Sequence, residues 1–344
     1  MKWLQGVILN IFIINIALIG FWALILSPSS KERNRIPFVV IISIQLFIIA
    51  AGSPIVNDAV AYEMWAATGY YGNSEIGWIY LSKVLWAIWP TGKCLLLGVT
   101  SISLLSFARF FLKYSKSLPL SYLIYIALGL WGFTFYIFRQ SIAIAIILFA
   151  YDAIIEKRPL KFALIVGAAT LFHQTSAAFI LAYPLLSMKR DRALRVIIEL
   201  AIIVTFTLLS EQILTILLSV FRNGAIYSLS DEVEGFGYFL MLLVSTVFMY
   251  IIDRPGRDSE FQKGVELATV FQTASFRFPL FVRLVNYYSL SLSIALPNSL
   301  ARIEEQKLKP VVYFAVIVAL LLLYVVFQDC CFPGGPDAYV FTWG

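Results

Sequence analysis

The sequence predicts an all-α fold, a polytopic helical membrane protein with about ten to twelve membrane segments, some of them short or broken. Three observations predict it. Of the 344 residues, 60% are hydrophobic and only 13% charged, whereas soluble domains run near 45–50% and about 25%. The apolar residues lie in long continuous runs, not in the alternation of a barrel strand. Lys and Arg gather in short clusters between those runs, the habit of cytoplasmic loops.

Leu4 to Leu26, Ile36 to Ala51, Cys94 to Phe111 and Val311 to Phe327 contain almost no charge, and about 20 such residues cross a bilayer as a helix. The first run is too long and uninterrupted for a cleaved signal peptide and has no small-residue cleavage site. Six basic clusters set the orientation: Lys31 to Arg35, Lys113 to Lys116, Glu156 to Arg158, Lys189 to Arg192, Arg254 to Lys263 and Arg302 to Lys309. With all six in the cytoplasm, the N-terminus lies outside, and so do the stretch from Gly52 to about Glu75 and the Cys330-Cys331 tail. Phe162 to Met188 sits between two basic clusters, so a single crossing would put one of them outside. Two half-length segments meeting near Phe172-His173-Gln174 keep both inside. Gly264 to Leu300, with Arg277 and Arg283 midway, reads as a full or broken helix pair. Glu75 to Trp89 either lies at the outer interface or spans. Non-helical backbone at such depths is tolerated where it lines a protein cavity. No composition shift divides the chain, which reads as a single integral membrane domain over residues 1–344.

The net charge of +6 lacks the basic, aromatic-interleaved face of a nucleic-acid binder. One histidine and three cysteines, two of them adjacent, give no metal spacing. There is no P-loop, nucleophile elbow or H-E-x-x-H. The ionisable residues left outside the basic clusters are therefore the candidates, because each costs at least about 2.5–3.5 kcal/mol at membrane depth. Asp58 and Tyr62 share a helix face as a carboxylate and a phenol of an outer cavity, with an N-cap by Asn57 or Asp58 as the alternative. Glu75 precedes Trp78, an aromatic able to stack on a sugar; alternatively it is a first-turn Glu favoured by the helix dipole. Arg139-Gln140 opens an apolar run, and the guanidinium suits phosphate or snorkels to the headgroups. His173 is alone in an apolar segment, either catalytic, sugar-binding or a packing residue. Arg277 and Arg283 interrupt a Phe-rich stretch, and Arg283 shares a face with Tyr287; they meet anions or an internal carboxylate. Asp231, Glu232 and Glu234 read as a solvated loop, as does Arg222. Arginines, carboxylates and aromatics on one side of a membrane suit an anionic lipid head that carries sugars.

These residues also resemble the EpsG/Wzy-type exopolysaccharide and O-antigen polymerases. The match rests on Asp58-x-x-x-Tyr62 followed by Glu75-x-Gly77-Trp78; on Phe138-Arg139-Gln140-x-x-Ala143; on Phe172-His173-x-x-Ser176; and on Arg283-x-x-x-Tyr287-Tyr288. Gln174-Thr175 and the tail after Cys331 carry no part of it. The resemblance implies a glycosyltransferase, loosely of the membrane-embedded type C kind, in the bacterial cytoplasmic membrane with its site facing the periplasm. Donor and acceptor would be glycan repeat units on undecaprenyl pyrophosphate, joined with inversion, with a flippase and a chain-length regulator as companions and no cofactor. Asp58 ranks first as the base, then Glu75 and His173. Arg139, Arg277 and Arg283 would bind pyrophosphate, while Tyr62, Trp78, Gln140 and Tyr287 would bind sugar. The rival reading is a transporter or flippase of lipid-linked oligosaccharide, whose charges should lie near the midplane and be reachable from both sides; an acyltransferase lacks its His-Asp pair around His173.

Orientation is tested with single cysteines in a background lacking Cys94, Cys330 and Cys331. Asp58→Cys should react with an impermeant reagent on intact cells, whereas Lys31→Cys and Arg190→Cys should react only after permeabilisation. External labelling at 190 would undo the half-length reading of Phe162–Met188.

Overall fold

The computed structural model describes residues 2–27, 29, 31–55, 58–187, 192–209, 212, 236–253, 259–278, 281–305 and 307–326. Asn57, Lys189 to Asp191, Glu211, Arg222, the acidic stretch Asp231 to Glu234, Arg254 to Asp258 and the Cys330-Cys331 tail lie outside the described residues. Among the described residues every regular element is helical. Among the described residues, three helical stretches are long and apolar enough to span by length and composition: Glu32–Gly52, Gly92–Tyr114 and Phe138–Ile155.

The expected long runs form α1 (Lys2–Leu26), α2 (Arg35–Gly52) and α5 (Gly92–Tyr114), with α16 (Leu308–Val326) late in the chain. Between α2 and α5 lie two short helices, α3 (Asp58–Thr68) and α4 (Ile76–Ile88). With 13 residues, α4 extends about 20 Å, short of a hydrocarbon core of about 30 Å. Glu63 on α3 ties this pair to α5, accepting from the Gly92 amide at 2.6 Å and satisfying one of the orphan donors of the α5 start. α6 (Leu118–Ala127) and the single turn α7 (Phe133–Tyr136) lead into α8 (Phe138–Ile155). α8 is the most enclosed of the three long helices, with 78% of its span buried. It packs between α5 and α9 (Pro159–Thr170).

The segment expected to hold two half-length pieces does so. α9 runs for 12 residues, turns at Leu171–His173, and returns as a 3-10 helix, Gln174–Leu181, continued by α10 (Ala182–Ser187). The two arms lie side by side: Phe162 is 5.9 Å from Phe179 and 5.3 Å from Tyr183, ring to ring. The late stretch is a broken pair. α13 (Glu260–Ser275) is followed by α14 (Phe281–Ser289) and α15 (Leu292–Ala301), which interrupt the return where one helix would otherwise run. α11 (Arg192–Leu208) and α12 (Phe236–Ile252) flank α13.

Hydrogen bonds and ion pairs collect the basic clusters at one end of the bundle. Arg35 donates to Leu112 O at 3.1 Å and Ser115 O at 3.0 Å, capping the α5 carbonyls. Asn298 bridges the Lys116 amide and the Tyr114 carbonyl. Arg302 pairs with Asp253 at 2.6 Å, Lys263 donates to Leu186 O at 2.8 Å, and Asp152 meets Arg109, Lys113 and Tyr114. Lys and Arg clusters far apart in sequence thus share one end, as loops on one side of a membrane must. Exposed Leu24, Leu105, Leu160, Phe314 and Ile251, each more than two thirds accessible, leave an apolar exterior suited to lipid.

α13 approaches α8 and α15 through Gly264. A β-carbon there would overlap the Ser291 hydroxyl and lie 2.8 Å from Ser291 Cβ, beside the Tyr151–Ser291 hydrogen bond of 2.6 Å. Small residues let membrane helices come this close. Gly264→Ala should therefore destabilise the bundle by about 1–3 kcal/mol, read as a lower melting temperature in detergent, and adding Ser291→Gly should restore part of it. A Gly264→Ala protein that melts like the parent would remove the close approach as a determinant of the packing.

Candidate active site

Two helix starts face each other at the turn of the re-entrant hairpin and exchange caps. Glu75 is the N-cap residue of α4, and its own first amides need acceptors from outside the helix. Leu171, at the end of α9, supplies one: its carbonyl accepts from the Gly77 amide at 2.7 Å. In return the Glu75 carboxylate accepts from the Gln174 amide at 3.1 Å, the first residue of the returning 3-10 helix. A carboxylate at a helix N-terminus is also favoured by the helix dipole. This close approach requires a glycine at 77, where a β-carbon would lie 2.7 Å from Leu171 O and 3.0 Å from the Phe172 ring.

Arg139 completes the arrangement from α8. Its Nη1 is 2.6 Å from Glu75 Oε2, and its Nε donates to the Tyr62 hydroxyl at 3.3 Å. The guanidinium lies 5.8 Å and 5.9 Å from the Tyr62 and Trp65 ring centres. As the second residue of α8, Arg139 stands at the positive end of a helix dipole, where a cation is disfavoured by about 0.3–1 kcal/mol. Glu75, only 8% exposed at its side chain, offsets that cost. The pair, like most buried pairs, is a poor device for stability and a better sign of binding or chemistry.

His173 lies against the same carboxylate, with Nδ1 3.7 Å from Glu75 Oε1. The ring is buried and neither nitrogen has a hydrogen-bond partner among the described residues. Unsatisfied buried groups of this kind are rare and need an explanation. Further along the hairpin, Thr175 meets the Tyr287 hydroxyl at 3.2 Å, and Gln140 donates to the Arg283 carbonyl at 3.1 Å. These contacts bring α14 to the site.

Glu75, Arg139, His173, Tyr62, Gln140 and Tyr287, drawn from five separate stretches of chain, therefore converge. Asp58 is exposed in the first turn of α3, one turn from Tyr62, where a carboxylate is favoured by the helix dipole; the N-cap alternative through Asn57 lies outside the described residues. Arg283 is exposed on α14, and Arg277 follows α13 in the turn towards it. Trp78 and Tyr287 are fully buried. Trp78 packs on Tyr62 at 4.9 Å and Phe138 at 5.9 Å, so both rings support the site from behind and present no face to a sugar. Two half-buried aromatics border the cluster: Trp65, which the sequence does not single out, and Phe172, which stands in the Phe172-His173-x-x-Ser176 motif without a sugar-binding role. Gln174 and Thr175 were also missed. Their adjacency to His173 was the available signal, but Gln174 contributes through its amide, which any residue carries.

The depth of this cluster follows from helix rise. Arg139 and Asp152 stand 13 residues apart on α8, about 20 Å, and Asp152 marks the basic end. The cluster is thus recessed within the thickness of a bilayer core of about 30 Å.

The EpsG family model matches residues 35–328. The chain belongs to the EpsG family. The match includes every site residue above and the whole re-entrant hairpin, and with it comes a general polysaccharide-polymerase role for this membrane protein. No curated protein and no solved structure matches the chain.

Gly77→Ala should separate α4 from the hairpin turn without unfolding the bundle. We expect polymer formation to fall at least about tenfold while helicity and melting temperature stay near the parent, since a 1 Å displacement at a site costs that or more. Truncating Phe172 in addition should not rescue it, because the nearest obstruction is the Leu171 carbonyl. Unchanged polymer yield in Gly77→Ala would disconnect the exchanged caps from the reaction.

Proposed function

We propose that this protein polymerises oligosaccharide repeat units linked to undecaprenyl pyrophosphate, by inverting glycosyl transfer on the outer face of the bacterial cytoplasmic membrane. The observation that carries the reading is the Glu75 carboxylate, paired with Arg139 and set beside the unpartnered imidazole of His173 in a membrane recess. With the basic end in the cytoplasm, this cluster stands on the periplasmic side, where lipid-linked units delivered by a flippase would meet it and a chain-length regulator would act.

The acceptor hydroxyl oxygen attacks the anomeric carbon of the donor sugar. As that bond forms, the bond from the anomeric carbon to the pyrophosphate oxygen breaks, and undecaprenyl pyrophosphate leaves with the electron pair. The hydroxyl proton goes to His173 Nε2. Glu75 is engaged by Arg139 and the Gln174 amide, and its Oε1 lies 3.7 Å from His173 Nδ1, which suits it to hold the imidazole orientation, as carboxylates do for catalytic histidines. This order departs from the ranking that the sequence suggested: exposed Asp58 is assigned to binding acceptor hydroxyls at the mouth. Arg139 uses two of its five N–H donors on Glu75 and Tyr62. We assign its remaining donors, with Arg283 and Arg277, to the leaving pyrophosphate. Guanidinium forks grip phosphate oxygens two at a time, and low local polarity strengthens each contact. Trp65 and Phe172 take over the sugar-stacking role that buried Trp78 and Tyr287 do not fill, with Tyr62 and Gln140 holding the floor.

Purified protein given a lipid-linked repeat unit should produce a ladder of longer glycans, and the ladder should persist in excess chelator. His173→Ala, Glu75→Gln and Arg139→Lys should each cut chain formation by about 100-fold or more, with Arg139→Lys failing because an ammonium keeps the charge and loses the fork. Asp58→Asn should cost about tenfold or less, mainly through the acceptor KM. A full ladder from His173→Ala would dismiss the base assignment, activity lost to chelator and restored by magnesium would replace the arginines with a metal, and no ladder from a competent substrate would favour the transporter.

A further inference from the structure

A lateral groove of about 820 Å³ opens between α8 and α9 at the basic end of the bundle, with Arg109 of α5 at its edge. Its charged mouth, beside Asp152, lies about 20 Å from the Glu75–Arg139 cluster by the rise of α8 and its inner end, at Ile146, about 10 Å, and the glycosyl transfer described above does not use it. Its walls differ along its length. At the basic end stand Arg109, Arg158 and Lys161; further in it is lined by Ile146, Leu164 and Ala168. Leu160 and Leu164, 73% and 67% exposed, leave its flank open to the surrounding lipid.

The charges at its mouth do not balance. Asp152 is shared by Arg109 and Lys113, and Glu156 by Arg158 at 3.4 Å and Lys161 at 3.2 Å. Four cations therefore face two carboxylates. The Glu156 contacts are surface pairs, which hold weakly. Arg109 is committed on one side, to Asp152 and over the Phe149 ring at 4.5 Å. Its other terminal nitrogen, Nη1, is buried and has no acceptor among the described residues. A buried guanidinium nitrogen without an acceptor is costly, so the site is short of an anion that the protein does not itself supply. The turn that carries Arg158 is also specialised: Lys157 adopts φ 56, and the Arg158 amide returns to Ala153 O at 2.8 Å, which fixes Arg158 beside the groove.

We infer that this groove binds an anionic diacyl phospholipid, its phosphate held by the half-exposed Arg109 guanidinium, Arg158 and Lys161 and one acyl chain laid along Ile146, Leu164 and Ala168. Basic pockets between membrane helices on the cytoplasmic side take such headgroups. The charge excess selects an anion, the apolar length selects a lipid over a free phosphate, and the open flank lets the lipid enter from the bilayer. Naming the cytoplasmic leaflet rests on the orientation proposed above; the binding does not.

The test uses the full chain, purified in detergent, stripped of lipid and offered equal amounts of phosphatidylglycerol, phosphatidylethanolamine and undecaprenyl phosphate, with retained lipid read by native mass spectrometry. The parent should keep phosphatidylglycerol at least about fivefold over phosphatidylethanolamine. Arg158→Ala combined with Lys161→Ala should abolish most of that preference, and Leu164→Trp, which fills the groove, should lower retention with the mouth charges intact. Arg109→Ala is a weaker variant because it also releases Asp152. Equal retention of the two phospholipids, undecaprenyl phosphate outcompeting phosphatidylglycerol, or parental retention by both variants would each overturn the inference. The assay is blind to orientation and to glycosyl transfer, so its failure and theirs are told apart by the cysteine labelling and by the glycan ladder.

Discussion

α8 is enclosed by other helices along most of its length, yet it carries an arginine near its start and an aspartate near its end. In a medium that offers no water, both must be neutralised by the protein itself. Glu75 meets Arg139 at one end, and Arg109 with Lys113 meets Asp152 at the other. The positions of α4 and α5 around α8 follow from these two obligations as much as from packing. The end held by Arg109 is surplus in cations, while at the far end an arginine stands where the helix dipole opposes it. The second arrangement brings no stability that an apolar pair could not exceed, which is why chemistry is the better explanation for it.

The re-entrant hairpin makes the far end workable. A continuous helix through Phe162–Met188 would have no free amides or carbonyls at this depth. Breaking it exposes them, and α4, itself too short to cross, begins where they emerge. Leu171 and Glu75 then satisfy each other's neighbours. The cost of the break is recovered at the place where a recess is wanted, and the glycine at 77 sets how closely the two starts meet.

The membrane class and the long helices were legible because hydrocarbon thickness imposes run lengths that composition alone reveals. The hairpin was legible for a topological reason: basic residues on both sides of one apolar stretch forbid a single crossing. The residues of the site were legible as types, since charge inside apolar sequence is conspicuous. Their pairing was not. Glu75 and Arg139 are 64 residues apart, and nothing local to either names the other. Trp78 and Tyr287 look like sugar platforms in sequence, but their burial is a property of the packed bundle. Asp58 ranked high because carboxylates on an outer segment invite a role, whereas the structure leaves it on the surface of α3. The Gln174 amide was invisible because backbone groups do not vary with sequence.

The spacing of the ion pairs also sets a timetable for synthesis. In each long-range pair one charge leaves the ribosome well before its partner: Arg109 precedes Asp152 by 43 residues, Glu75 precedes Arg139 by 64, Arg195 precedes Glu266 by 71 and Asp253 precedes Arg302 by 49. At about 5–20 residues per second, the earlier member waits roughly 2–14 s. All four early members lie at or near a helix end: the N-cap of α4, the last third of α5, the first turn of α11 and the residue after α12. From there a side chain can reach headgroups or water until its counterion arrives. Glu266, which sits well inside α13, is a late member and enters with Arg195 already in place. In these four pairs among the described residues, the charge that arrives first thus waits where the bilayer edge is within its reach.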